Sequence, residues 1–74
     1  MNFREFMDMY EDWCGATRVI DETLEVIVMG KTVDIMECLM PFGKRTKVRG
    51  YVELFHMEVV SFGFYDGVLC VRVK

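Results

Sequence analysis

Proline is almost missing from this 74-residue chain, Pro41 being the only one. No proline-rich linker or polyproline segment divides it, and a single small domain over residues 1–74 is expected. Histidine is equally scarce: with His56 alone, a zinc set is out of reach and a general base would depend on Glu53 or Glu58 nearby. The three cysteines, Cys14, Cys38 and Cys70, are odd in number, widely spaced and without a C-x-x-C. This excludes a disulfide framework and a metal knuckle, and leaves reduced, mostly buried thiols as the expectation. No apolar run approaches the ~20 residues of a membrane span. Met1 leads at once into an amphipathic pattern with acidic residues, unlike a secretory leader, so a cytoplasmic protein with no membrane partner is expected. A glycine-rich phosphate loop is also lacking. Gly30-Lys31-Thr32 has the ending of one, but Glu25 stands where its first glycine belongs. Neither a nucleophile elbow nor a Cys/His pairing accompanies Ser61 or the cysteines. The chain is therefore read as non-enzymatic, with no cofactor and no metal.

What the chain does have is apolar surface: 53% of its residues are hydrophobic and 14% aromatic. A monomer of this length would hide less than that, so a homo-oligomer is expected. Its charge is divided. Residues 1–37 hold nine acids against three bases, whereas residues 38–74 hold six bases against three acids, making the molecule electrically bipolar.

Apolar spacing assigns the elements. Asn2 and Glu5 stand at capping-box spacing, and Phe3, Phe6, Met7, Tyr10, Trp13 and Cys14 recur on one helical stripe that Gly15 stops. The stretches 17–20 and 25–29, dense in β-branched residues, read as a hairpin around Asp21-Glu22-Thr23. A rival reading makes Asp21 the cap of a helix ending at Gly30. Thr32 is placed as the cap of a short helix over Val33–Met40, with Val33, Met36, Leu39 and Met40 inward and Pro41 as its end. Tyr51–Met57 reads as one helical turn docked through Leu54 and Phe55.

The closing stretch, Glu58–Lys74, is the clearest. Asp66-Gly67 between apolar runs marks a two-residue hairpin turn. The register it sets puts Val60, Phe62, Phe64, Leu69, Val71 and Val73 on one side, expected to be buried under the N-terminal helix. The architecture expected is α+β: an amphipathic helix packed on an antiparallel sheet of about four strands in two hairpins, with one or two short helices.

Three surfaces are candidates for function. Lys44, Arg45, Lys47 and Arg49 crowd a loop flanked by Phe42 and Tyr51, combining charge for phosphate with rings for stacking. These are the ingredients of a nucleotide or single-strand site, although a loop that merely balances the acidic half has the same composition. The acidic helix face, with Glu5, Asp8, Glu11 and Asp12, could stand in for nucleic-acid phosphates. The second side of the closing hairpin, with Tyr65, Val68 and Cys70, is a candidate subunit interface.

Taken whole, the chain resembles short accessory proteins of Firmicutes bacteriophages and mobile elements. The resemblance rests on the opening Phe3-Arg4-Glu5-Phe6-Met7-Asp8-Met9-Tyr10, on Gly30-Lys31-Thr32-Val33-Asp34-Ile35-Met36, and on the ending from Glu58 to Gly67. It covers about half the chain and contains no catalytic signature, so it carries over no site residue. It implies a counter-defence setting, in which a small protein inhibits host antiviral immunity by stoichiometric binding. The target is then a nucleotide immune signal to be sequestered or a CRISPR effector to be blocked. The other readings are a homo-oligomeric structural module and, less favoured, a small nucleic-acid-binding regulator.

Overall fold

The computed structural model describes all residues from Met1 to Lys74. Seven elements follow in order: α1 (Phe3–Met9), β1 (Ala16–Ile20), β2 (Val26–Lys31), α2 (Thr32–Met36), α3 (Tyr51–His56), β3 (Val59–Tyr65) and β4 (Val68–Val73). The α+β class and both hairpins are as the sequence indicates, but the sheet is mixed. Its order is β2-β1-β4-β3, with the two antiparallel hairpins joined through a parallel β1–β4 pair. That junction corrects the all-antiparallel expectation: β4 lies in the centre of the sheet and β3 at its edge.

The capping box at Asn2 and Glu5 forms in both directions, at 2.8 and 3.0 Å. α1 stops at Met9 rather than running to Gly15. Beyond it the Trp13 indole folds back and donates at 3.1 Å to the Met7 carbonyl, which also accepts from the Tyr10 N–H, so the segment after the helix is tied to its last turn. Residues 21–25 form a loop and not a helix: Asp21 accepts hydrogen bonds from the Thr23 N–H, the Thr23 hydroxyl and the Glu25 N–H. β2 then runs through Gly30, and Ile27 is the extra residue of a bulge opposite Ile20.

α2 also departs from expectation. Thr32 is its first helical residue instead of its cap, with its hydroxyl 2.6 Å from that of Thr17 inside the core. The helix ends at Met36, ahead of Pro41, as Cys38 turns into the left-handed region at φ 62°. Val33 and Leu39 face solvent, while Ile35 and Met36 are buried. Cys14 and Cys38 are exposed and Cys70 half-buried, which corrects the expectation of mostly buried thiols.

The core occupies one face of the sheet. Val19, Val28, Leu69, Val71 and Val73 supply its strand side, and Phe3, Met7, Ile35 and Leu54 its helical side. Thr17 and Thr32 are the only buried polar residues, each satisfied by the other. α3 delivers Leu54 into this core and stacks Phe55 on Phe3 at 6.2 Å between ring centroids.

Candidate interaction surface

The turn geometry decides which backbone groups β3 leaves free. Asp66 and Gly67 both take positive φ, 53° and 77°, as a type I′ turn requires. A two-residue turn makes Tyr65 and Val68 a hydrogen-bonded pair, and bonded pairs then alternate through Gly63–Cys70 to Ser61–Arg72. The N–H and C=O groups of Phe62 and Phe64 consequently point out of the sheet. At the far end Glu58 and Lys74 exchange both backbone bonds, and the Val59 N–H donates outward to the Met1 carbonyl at 2.9 Å. Met1 thus closes the edge at Val59. Val60 bulges out of register, and from there to Phe64 the edge has no backbone partner.

Side chains on this edge are apolar and exposed. Val60, Phe62 and Phe64 are 50%, 61% and 58% exposed, against the expectation that α1 would bury them. The expectation holds for the β4 half of the same side, since Leu69, Val71 and Val73 are buried. α1 reaches β3 only with its flank: Phe6 lies 4.8 Å from Phe62 and Tyr10 lies 5.9 Å from Phe64. The seam stays open as two hollows. One, of about 190 Å³, is lined by Phe6, Met9, Tyr10, Phe62, Phe64 and Leu69. The other, of about 430 Å³, lies against Met1, Phe6 and Val59 to Phe62. Burial beside the Asp12 carboxylate pushes the Tyr10 hydroxyl above its ordinary pKa, so the seam carries no charge from it at neutral pH. β3 contains no charged residue in its seven positions. Natural edge strands are normally guarded by Lys, Pro, short length or a covering loop. Met1 and the Val60 bulge guard one end only.

The opposite sheet face carries Tyr65, Val68 and Cys70. Register places them in cross-strand rows: Lys31, Ala16, Val68 and Tyr65 in one, Met29, Arg18, Cys70 and Gly63 in the next. Tyr65 is exposed, with its ring folded over Gly63, while Val68 and Cys70 are half-buried. The three residues therefore share a face, but Tyr65 stands at the β3 edge and the other two in the sheet interior.

The basic loop is anchored at two points. Val48 is buried, and the Gly43 N–H donates to the Ile27 carbonyl at 2.6 Å. A Cβ at Gly43 would meet the Val26 carbonyl oxygen at 2.5 Å, so only glycine lets the loop lie this close to β2. Lys44, Arg45, Lys47 and Arg49 are exposed, and neither ion pair of the molecule involves them: those are Arg4–Asp8 and Lys74–Glu58. Phe42 and Tyr51 do come together, though edge to face at 4.9 Å and packed against the core, with the Tyr51 hydroxyl donating to the Met40 carbonyl at 2.8 Å. They support the loop from below instead of presenting free faces beside the four cations. Burial raises the Tyr51 pKa. The hollow nearest the loop, about 240 Å³, mixes Lys47 and Lys74 with Asp21, Glu22 and Glu53.

Glu5, Asp8, Glu11 and Asp12 are exposed, and Asp8 is held by Arg4 at 3.2 Å. His56 is exposed at the end of α3. No group of three or more metal-ligating side chains occurs, and no helix is long and apolar enough to cross a membrane. Compared with family models, with curated proteins and with solved structures, the chain matches none.

Phe62 and Phe64 are the functional candidates that pattern reasoning assigned to the core. The signal available for them was an uncharged run from Val59 to Tyr65, which fits a buried strand and an unguarded edge equally well.

Proposed function

We propose that this chain is a non-catalytic interaction protein that acts by stoichiometric binding, with β3 and the α1–β3 seam as its contact surface. The observation that carries this reading is the β3 edge: free backbone donors and acceptors, half-exposed phenyl rings and no charge in one strand. Those are the elements of recognition by strand addition, in which main-chain bonds supply affinity and side-chain hollows supply selectivity. In the counter-defence setting that the resemblance implies, a cytoplasmic protein with such a surface would inhibit a host antiviral system by occupying a component of it.

A second reading has its own observation. Four exposed cations outside both ion pairs would suit a phosphate-bearing ligand, so sequestration of a nucleotide signal through Lys44, Arg45, Lys47 and Arg49 is the alternative.

The two readings separate in one experiment. The chain is expressed in a bacterium with an active antiviral defence, and phage plating is scored for wild type, Phe62→Lys/Phe64→Lys and Lys44→Glu/Arg45→Glu. The interaction reading expects the β3 variant to lose inhibition and the loop variant to keep it. The reverse pattern would move function to the loop.

A further inference from the structure

The occupant of the β3 edge can be named from the strand's own sequence. We propose that it is a second copy of this chain, added antiparallel about a twofold axis through Gly63 so that two four-stranded sheets become one of eight strands. The inference rests on the reading of β3 as the contact surface: the edge is taken up by the second copy, and the joined dimer is then the unit that meets a host component.

Three observations converge on it. The outward-pointing backbone groups belong to Phe62 and Phe64, and Phe62-Gly63-Phe64 reads the same in both directions. Centred on Gly63, an antiparallel copy sets each Phe62 opposite Phe64 of the other, and each such pair exchanges both N–H···O=C bonds. Such an interface is isologous and closes on itself.

The register centred on Phe62 is disfavoured. It would drive Asp66 of the second copy towards the like charge of Glu58, at an edge position that Asn2 already bridges. Centring on Gly63 sets Asp66 against Val60 and Ser61 against Tyr65. The length also fits, because the second copy's turn arrives beside Val59 and Val60, where Met1 already closes the edge.

Each face of the joined sheet is then filled. On the helical face, four phenyl rings from the two copies meet between the Phe6, Met9 and Tyr10 sets and close both hollows of about 190 Å³. On the opposite face Gly63 meets Gly63, a non-bonded pair with Cα atoms about 4.5 Å apart. The Tyr65 ring, 3.2 Å from where a Cβ on Gly63 would lie, covers that gap.

Sedimentation equilibrium on the purified chain tests the proposal without any target. Wild type should sediment at twice the chain mass in the micromolar range. Phe64→Lys, at a side chain already exposed, should keep its circular dichroism spectrum and weaken association at least about thirtyfold. Phe62→Pro removes an outward N–H together with the exposed ring, leaves the bonds of Ser61 and Gly63 to β4 in place and should do the same, which keeps the test decisive if the lysine variant loses its fold. With Cys14, Cys38 and Cys70 replaced by serine, Gly63→Cys should form a disulfide between copies on mild oxidation and Ser61→Cys should not.

A single-chain mass for wild type, a dimer indifferent to both β3 substitutions, or cross-linking through Ser61→Cys instead would overturn it. Monomeric wild type whose inhibition of defence still requires Phe62 and Phe64 would remove the second copy and leave the interaction reading standing. A dimer whose inhibition ignores both residues would do the opposite.

Discussion

The Thr17 and Thr32 hydroxyls, 2.6 Å apart and fully enclosed, show how one residue's role is set by a neighbour distant in sequence. Thr17→Val leaves the Thr32 hydroxyl without a partner in the core, and should cost about 1–3 kcal/mol of unfolding free energy. Thr17→Val/Thr32→Val removes both polar groups at nearly constant volume and should restore most of that loss. Urea denaturation of the two single variants and the double closes the cycle, and additive losses would contradict the pairing. Thr32 looks like a cap in sequence because it precedes an apolar helical pattern; its burial against β1 depends on a contact fifteen residues away. Phe62 and Phe64 depart from their core-like pattern for a related reason. Their side of the hairpin follows from turn chemistry, but whether that side lies in the sheet's middle or at its rim depends on which strand pairs with β1.

Among the elements, the β1–β2 hairpin shows what local chemistry can specify. Asp21 organises its loop: its carboxylate accepts first from the Thr23 hydroxyl and then from the Glu25 and Thr23 N–H groups, with Lys47 adding positive charge. Together these outweigh desolvation and hold its pKa below the ordinary 3.8. The loop thereby supports Leu24 in the left-handed region at φ 67°, where a non-glycine residue is strained. A folded-state pKa below the unfolded one means stability that is complete above pH 3.8 and lost as pH falls through the lower, folded value. The stability gap between wild type and Asp21→Ala should thus be widest near neutrality and shrink in that acid window. Thermal melts at pH 7 and in the acid range measure it, and a gap independent of pH would mean that the carboxylate is not the anchor. Both hairpins, the Asn2 cap and the turn at Asp66-Gly67 were legible because each is built from neighbours in sequence. The parallel β1–β4 pairing was not, since antiparallel and parallel partners bury the same alternating valines. The irregular loop was legible as a loop, but Val48 and Gly43, which tie it down, carry no periodic signal.

For the whole molecule, the sheet order turns a hydrophobic surplus into a located surface. With β4 in the centre, its side chains complete the core and β3 carries the remainder: Phe62 and Phe64 on the helical side, Tyr65 on the other. The excess of apolar residues was visible in composition, and so was the expectation of self-association; its position was not, because it follows from topology. Apart from Glu58 and Asp66 at the two ends of β3, the charges lie away from this edge, with acids exposed on α1 and bases on the loop over residues 44–49, so a contact at β3 need not bury them. Amide hydrogen exchange along β3 tests this account most directly. Ser61, Gly63 and Tyr65 donate to β4 in any state, whereas Phe62 and Phe64 have no partner within the chain. If β3 is the contact surface for a second copy, exchange at Phe62 and Phe64 should slow as protein concentration rises and approach that of their neighbours. Fast exchange at those two amides at every concentration, with Ser61, Gly63 and Tyr65 protected throughout, would contradict it.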